Sequence, residues 1–345
     1  MLVLYWSIVM KREATFWKSL ENKNVRCQLC SHNCKISDGK IGICGVRKNE
    51  QGRLYTLIYG SCSSLTADPI EKKPLYHFFP GTQAYSLGTV GCNFKCSYCQ
   101  NYSISTADSK FPYMRDISPE QVVELAQEHG CKGVAWTYNE PTIWHEFSSD
   151  ASKLAKKAGL YTVYVSNGYV NEEPLKKLSQ YLDAINVDVK AFQDEFYKRV
   201  CKARLEPVLN TCERAKELGI HVELTYLVVP GMNDSSDEIK NFCKWILEEL
   251  GPETPVHFSR FHPDHEMTDL SATPIETLLK IYDLAKETGL LYPYLGNVPP
   301  GSYENTYCPS CENLCIERQG YSTRLNGLIN GTCAKCGENI SVRFN

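Results

Sequence analysis

Tyr85-Ser86-Leu87-Gly88-Thr89-Val90-Gly91-Cys92-Asn93-Phe94-Lys95-Cys96-Ser97-Tyr98-Cys99 joins a short apolar run to three cysteines spaced C-x3-C-x2-C. A bounded apolar run of that length reads as a buried strand, so the cysteines fall in the loop leaving its C-terminal end. Three thiolates on one tight loop can hold three irons of a cubane [4Fe–4S] cluster and leave the fourth iron without a protein ligand. A zinc ion would want a fourth ligand from the same loop or close to it. The spacing therefore points to Cys92, Cys96 and Cys99 as cluster ligands.

Downstream of this loop, strand and helix signals alternate. Ser118-Pro119-Glu120 has the cap and first-position proline of a helix start, and that helix runs to His129-Gly130. Gly133 to Tyr138 is the next strand, and a helix from about Thr142 ends at Gly159. Tyr161 to Ser166, Ala184 to Val189, His221 to Val229 and Val256 to Phe261 are further strands, with a last short one at Leu291 to Leu295. Between them lie a short helix near Pro174, a long one predicted over Asp194 to Leu218, and helices over Ser235 to Leu250 and Pro274 to Thr288. About six βα repeats imply an α/β protein with a parallel sheet buried on both faces. Periodicity alone does not separate an open wound sheet from a barrel. In either, functional groups gather at the C-terminal ends of the strands. Asn139, Glu140, Ser166, Asn167, Asp188, Lys190 and His262 lie there. Glu223, Tyr226 and Arg260 lie on strands facing an unknown cavity.

The chain has 345 residues and a formal net charge of −3, which gives nucleic acid no support as a partner. Its 17 cysteines are an odd number, and no usable secretion signal precedes them. Disulfide frameworks belong to short secreted chains, so metal sites are the better explanation. Met1 to Met10 is an apolar extension too short to span a bilayer. The expectation is a cytoplasmic protein without a membrane partner. Three segments follow: a Cys-rich stretch over residues 1–80, a βα core over 81–300 and a small module over 301–345. In the last, Cys308-x2-Cys311 and Cys333-x2-Cys336 are spaced like two zinc knuckles, with a second iron–sulfur cluster as the rival occupant. Cys27, Cys30, Cys34 and Cys44 offer another structural metal site. Zinc, an accessory cluster and a substrate-facing role all remain open there. Cys62, Cys131, Cys201, Cys212 and Cys243 read as small buried packing residues.

A C-x3-C-x2-C loop after the first strand of a βα-repeat core resembles the radical S-adenosylmethionine enzymes. That resemblance implies a partial (βα)6 barrel, and an open iron that binds the amino and carboxylate groups of S-adenosylmethionine. One-electron cleavage then yields a 5′-deoxyadenosyl radical that abstracts hydrogen from substrate. Tyr98 occupies the place of the aromatic that packs on adenine. Tyr138-Asn139-Glu140-Pro141 stands where the family has a glycine-rich acidic turn, keeping the acid without the glycines. Ser166-Asn167-Gly168 matches a turn of the pyruvate formate-lyase activase branch, with Val165 where that branch has an acid. Asp188-Val189-Lys190 matches that branch's ribose- and carboxylate-holding pair, and His262-Pro263 resembles it after the sixth strand.

Further landmarks are Gly42-Ile43-Cys44-Gly45-Val46-Arg47, Arg260-Phe261-His262-Pro263 and Leu295-Gly296-Asn297-Val298. They are similar to the AmmeMemoRadiSam subgroup, which implies Memo-type and AMMECR-type partner proteins and an electron donor such as flavodoxin or ferredoxin. Three functions follow in order of support: a radical enzyme acting on an unidentified substrate, an activase for a glycyl-radical enzyme, and a non-enzymatic zinc-binding interaction protein.

Overall fold

The computed structural model describes residues 11–344; the extension expected at Met1 to Met10 lies outside the described residues. Eight strands form the central sheet, in sequential order: β1 (Ser64–Pro69), β2 (Gln83–Gly88), β3 (Gly133–Trp136), β4 (Tyr161–Ser166), β5 (Ala184–Asp188), β6 (His221–Val228), β7 (Val256–Arg260) and β8 (Pro293–Gly296). From β2 to β8 every pairing is parallel, whereas β1 runs antiparallel to β2 with Ser64 opposite Gly88. The parallel strands are buried on both faces because helices cover the outer one. Those helices are α1 (Pro119–Glu128), α2 (His145–Lys157), α3 (Glu172–Leu178), α4 (Glu206–Glu217), α5 (Ser236–Trp245) and α6 (Ile275–Thr288). The cap expected at Ser118 is a full capping box with Gln121. Six βα units and a final parallel strand thus wrap into a partial barrel whose edges, β1 and β8, do not pair. The antiparallel front strand was not foreseen.

The helix predicted over Asp194 to Leu218 is broken. Asp194–Phe196 runs into a wide π turn, Tyr197–Cys201, and the chain reverses at Lys202, φ +58°. Helix α4 begins only at Glu206, with Pro207 in its first turn. Proline has no N–H and clashes inside a helix, so it starts one here. The break has a use, because the carbonyls of Cys201 and Val200 accept from the amides of Lys95 and Ser97, at 3.0 and 3.2 Å. The π turn therefore clamps the cysteine loop.

Glu223 does not face an open cavity. It is fully buried in β6. It accepts from the amides of Tyr76 (2.9 Å) and His77 (2.7 Å), and from the rings of His221 (3.0 Å) and His257 (2.8 Å). Burial would raise its carboxyl, but these donors outweigh burial and hold it well below the usual range. Tyr226 and Arg260 are also tied up, the hydroxyl of the first lying between the Asn233 carbonyl (2.8 Å) and Glu238 Oε1 (2.9 Å), the second donating to the Thr273 carbonyl.

The C-terminal module spans the gap that the open sheet leaves. Its hairpin pairs Leu314–Gln319 with Ser322–Arg324. Thr306 meets Tyr294 of β8 at 2.8 Å, and Thr323 donates to Glu71 just beyond β1, also at 2.8 Å. Between them the buried Arg318 donates to the Tyr76 carbonyl and lies over that ring. The N-terminal segment forms two small three-stranded sheets. A buried ion pair, Arg47 to Glu146 of α2 at 2.9 Å, pins it to the core.

Candidate active site

A cavity of about 420 Å³ opens at the C-terminal ends of the strands, a size suited to small ligands. Cys92, Cys96 and Cys99 line it together with Tyr98, Asn139, Glu140, Ser166, Asn167, Asp188 and Lys190. His262 does not reach it: the ring is exposed and bonded to the neighbouring Pro263 carbonyl at 2.9 Å.

The cysteine loop is held from several sides. Gly91 (φ +83°) passes so close to the Cys44 carbonyl that a Cβ would come within 2.6 Å of it, so only glycine fits. The Gly91 carbonyl accepts from Asn139 Nδ2 at 2.7 Å, and Asn139 Oδ1 accepts from the Thr89 amide at 3.1 Å. Among the described residues no three sulfurs of this loop fall within 4.8 Å of one another. Thiolates around one zinc are separated by about 3.8 Å, closer than this loop holds its three. Cys201, read as a packing residue, is buried but sits against Cys96 and raises its thiol pKa.

Glu140 is 1% exposed and already engaged. Its carboxylate accepts from Thr142 N (2.9 Å), Ser166 Oγ (2.8 Å) and Asn167 N (2.8 Å). Burial pushes its pKa up while these donors resist. Asn167 in turn donates to Asn93 Oδ1 at 2.8 Å and faces Cys92 Sγ at 3.9 Å. Asn139, Glu140 and Asn167 are thus positioning residues that lock the β3 and β4 turns onto the cysteine loop. By contrast, Asp188 and Lys190 form a pair at 2.7 Å inside the cavity. Burial would lower the Lys190 ammonium, but Asp188 and Cys96 outweigh it and keep it raised. Tyr98 is buried with no partner for its hydroxyl, an orphan that fits a ligand not drawn from the protein. Three thiols, an unsatisfied phenol and an opposite-charge pair in one cavity suit an iron–sulfur cluster with a polar organic ligand.

Family-model comparison matches residues 86–246 to the "Radical SAM superfamily". The chain belongs to the radical SAM superfamily. Membership implies a [4Fe–4S] cluster and S-adenosylmethionine. The uncharacterized protein MJ0808 of Methanocaldococcus jannaschii is 49% identical over 334 residues, covering 96% of this chain and 99% of that protein. The pyruvate formate-lyase-activating enzyme of Clostridium pasteurianum is 23% identical over 216 residues, 57% of this chain and 87% of that one. Streptococcus suis SuiB bound to precursor peptide SuiA is similar in fold alone, with a TM-score of 0.50 and 11% identity over 66% of this chain and 51% of that one.

Sequence reasoning missed the wall opposite the motifs. Lys72, Lys73, Thr225, Asn297 and Tyr321 also line the cavity of this radical SAM core. Lys73 is 1% exposed, and burial holds it down to about 8 despite Asp68 at 2.6 Å. Tyr138, in the left-handed region at φ +74°, donates to the same carboxylate at 2.5 Å. That strained conformation at a non-glycine residue marks a constrained functional turn. Lys72, Lys73 and Tyr321 belong to no spaced motif: they come from the turn after the front strand and from the terminal hairpin, so only folding brings them in.

Cys308, Cys311, Cys333 and Cys336 converge as their spacing suggested. All four sulfurs lie within 4.8 Å of one another, with Cys308–Cys336 at 3.5 Å and Cys311–Cys333 at 3.7 Å. Cys315 is buried outside this set, its thiol donating to the Asn313 carbonyl. Among the described residues no helix is long and apolar enough to cross a membrane.

Proposed function

We propose that this chain reductively cleaves S-adenosylmethionine and uses the resulting carbon radical to take a hydrogen atom from a small substrate held in the barrel mouth. The observation that carries this reading is the convergence of Cys92, Cys96 and Cys99 with the orphan Tyr98 hydroxyl and the Asp188–Lys190 pair in one cavity. When bound, the cluster and the sulfonium cofactor supply the one-electron chemistry. The protein's own residues bind and orient. Cys92, Cys96 and Cys99 hold three irons, and Tyr98 stacks and donates. Lys190 meets the cofactor carboxylate, and Asp188 meets the ribose. Lys73, Tyr138 and Tyr321 face the substrate and screen it from water. With its ammonium at about 8, Lys73 is the group best suited to move a proton near neutral pH.

Anaerobic reconstitution followed by dithionite and S-adenosylmethionine should release 5′-deoxyadenosine. A preparation holding a full cluster that releases none would overturn the proposal. Similarity to the activating enzyme favours a second reading, in which a glycyl-radical protein is the substrate. Electron paramagnetic resonance of a partner protein would then show a glycine-centred radical. The subgroup landmarks, Memo-type and AMMECR-type partners, a flavodoxin or ferredoxin donor, and a cytoplasmic location belong to the same proposal.

Glu140→Gln tests the positioning role. The new amide nitrogen would face the Asn167 or Ser166 donor, so the turn must shift. The expected result is cofactor affinity weakened by about 10-fold with iron content unchanged. Equilibrium binding checks it, and unaltered affinity would count against the role.

At the C-terminal quartet we propose a single structural zinc, since the sulfur separations match about 3.8 Å for tetrahedral thiolates. Cys308→Ser should remove zinc from the purified protein and lower its melting temperature. Iron at this site, by elemental analysis, would refute zinc.

A further inference from the structure

The N-terminal cysteines converge too, but not as the C-terminal ones do. Cys27, Cys30, Cys34 and Cys44 line one apolar pocket with Ile36 and Ile143. All four are free thiols. They reach the pocket from three places. Cys27 and Cys34 face each other across a hairpin, with Cys27 N bonded to Cys34 O at 2.9 Å. Cys30 sits on the turn between them, and Cys44 lies on the tight loop from Gly42 to Gly45. Among the described residues no three of these sulfurs fall within 4.8 Å of one another. In any three of them at least one pair is therefore wider than the about 3.8 Å that thiolates on one tetrahedral ion keep. Among the described residues only the quartet at Cys308 meets that closer spacing.

A second feature points to an anionic occupant. Arg47 is 2% exposed and lines this pocket. Its terminal nitrogens are engaged with Glu146 and the Thr15 carbonyl, yet its buried Nε has no partner. A donor left unpaired in the interior is costly unless something accepts from it. Cluster thiolates are such acceptors, and their potentials depend on donors of this kind.

We infer that Cys27, Cys30, Cys34 and Cys44 hold a second [4Fe–4S] cluster, packed directly against the loop that carries the first. The contact is close. The Cys44 carbonyl abuts Gly91, and His32 Nε2 donates to the Asn93 carbonyl at 2.7 Å. Resting on the radical reading, the second cluster takes one electron from a one-electron donor and passes it to the first, so that each is reduced and reoxidised in turn.

Three preparations reconstituted anaerobically test this: the wild type, the triple variant Cys92→Ala/Cys96→Ala/Cys99→Ala, and the double variant Cys30→Ala/Cys34→Ala. The wild type should hold about eight irons per chain and each variant about four. After dithionite, the triple variant should show a paramagnetic signal that S-adenosylmethionine leaves unchanged. The wild-type spectrum should be broader than the sum of the two variant spectra, because neighbouring spins couple. About four irons and a second zinc in the wild type would overturn the cluster, and a simple sum of spectra would overturn the transfer. The wild-type count stands even if a variant fails to fold. If the double variant's remaining cluster ignores S-adenosylmethionine, the radical reading fails and the second cluster does not.

Discussion

Cys96→Ala should reduce release of 5′-deoxyadenosine by about 100-fold or more, since even changes beyond the ligands of a metal site cost 10- to 100-fold. Two remaining thiolates cannot hold the cube with a single free corner, and the sulfonium cofactor then has no defined iron to bind. Cys96 also shares the cavity with the Lys190–Asp188 pair. Because Cys201 lies against it, a residual rate in the single variant should vanish in Cys96→Ala/Cys201→Ala. Cys212→Ala, a buried change in α4 at a residue that does not line the cavity, should cost some stability and leave release intact. Product chromatography after a fixed reduction time makes the comparison. Equal release from Cys96→Ala and wild type would remove the basis for the radical reading.

Glu223→Ala should destabilise the fold by about 3–5 kcal/mol, the range for breaking a buried charged network by deleting one member. The loss strands the amides of Tyr76 and His77 and two imidazoles under the barrel. The pH dependence follows from the direction of the shift. The carboxyl is depressed in the fold, so its contribution is present above the unfolded value of about 4.3 and fades as pH falls below it. Denaturant titrations from pH 7 to pH 3.5 should show the wild type losing more stability than Glu223→Gln over the acid end. Parallel slopes for the two would show that the network is not charged.

Much of the barrel was legible because its signals are local. Apolar runs, caps such as Ser118 and closing glycines each report on a few neighbouring residues, and the triplet's chemistry lies within one loop. The broken helix at Tyr197–Cys201 was less legible: the acidic and basic residues of Asp194 to Leu218 suit a helix, and only Pro207 hinted at a restart. Spacing marked Glu140 and Asn167 as cofactor contacts; both line the cavity, and the hydrogen bonds that tie their two turns together were not legible in the sequence. His262 was placed by its position after a strand, and rotation of the chain beyond β7 carries it to the surface. Lys73 and Tyr321 were invisible because their roles depend on β1 and a hairpin far away in sequence.

The hairpin Leu314–Arg324 has one end knotted by four sulfurs and the other leaning on the doorway through Tyr321. Oxidants that undo the knot slacken this panel without touching the iron. Air would then threaten the cavity by two routes: loss of the iron–sulfur cluster that its three thiols would hold, and a leak at the seam beside Tyr321 that admits solvent.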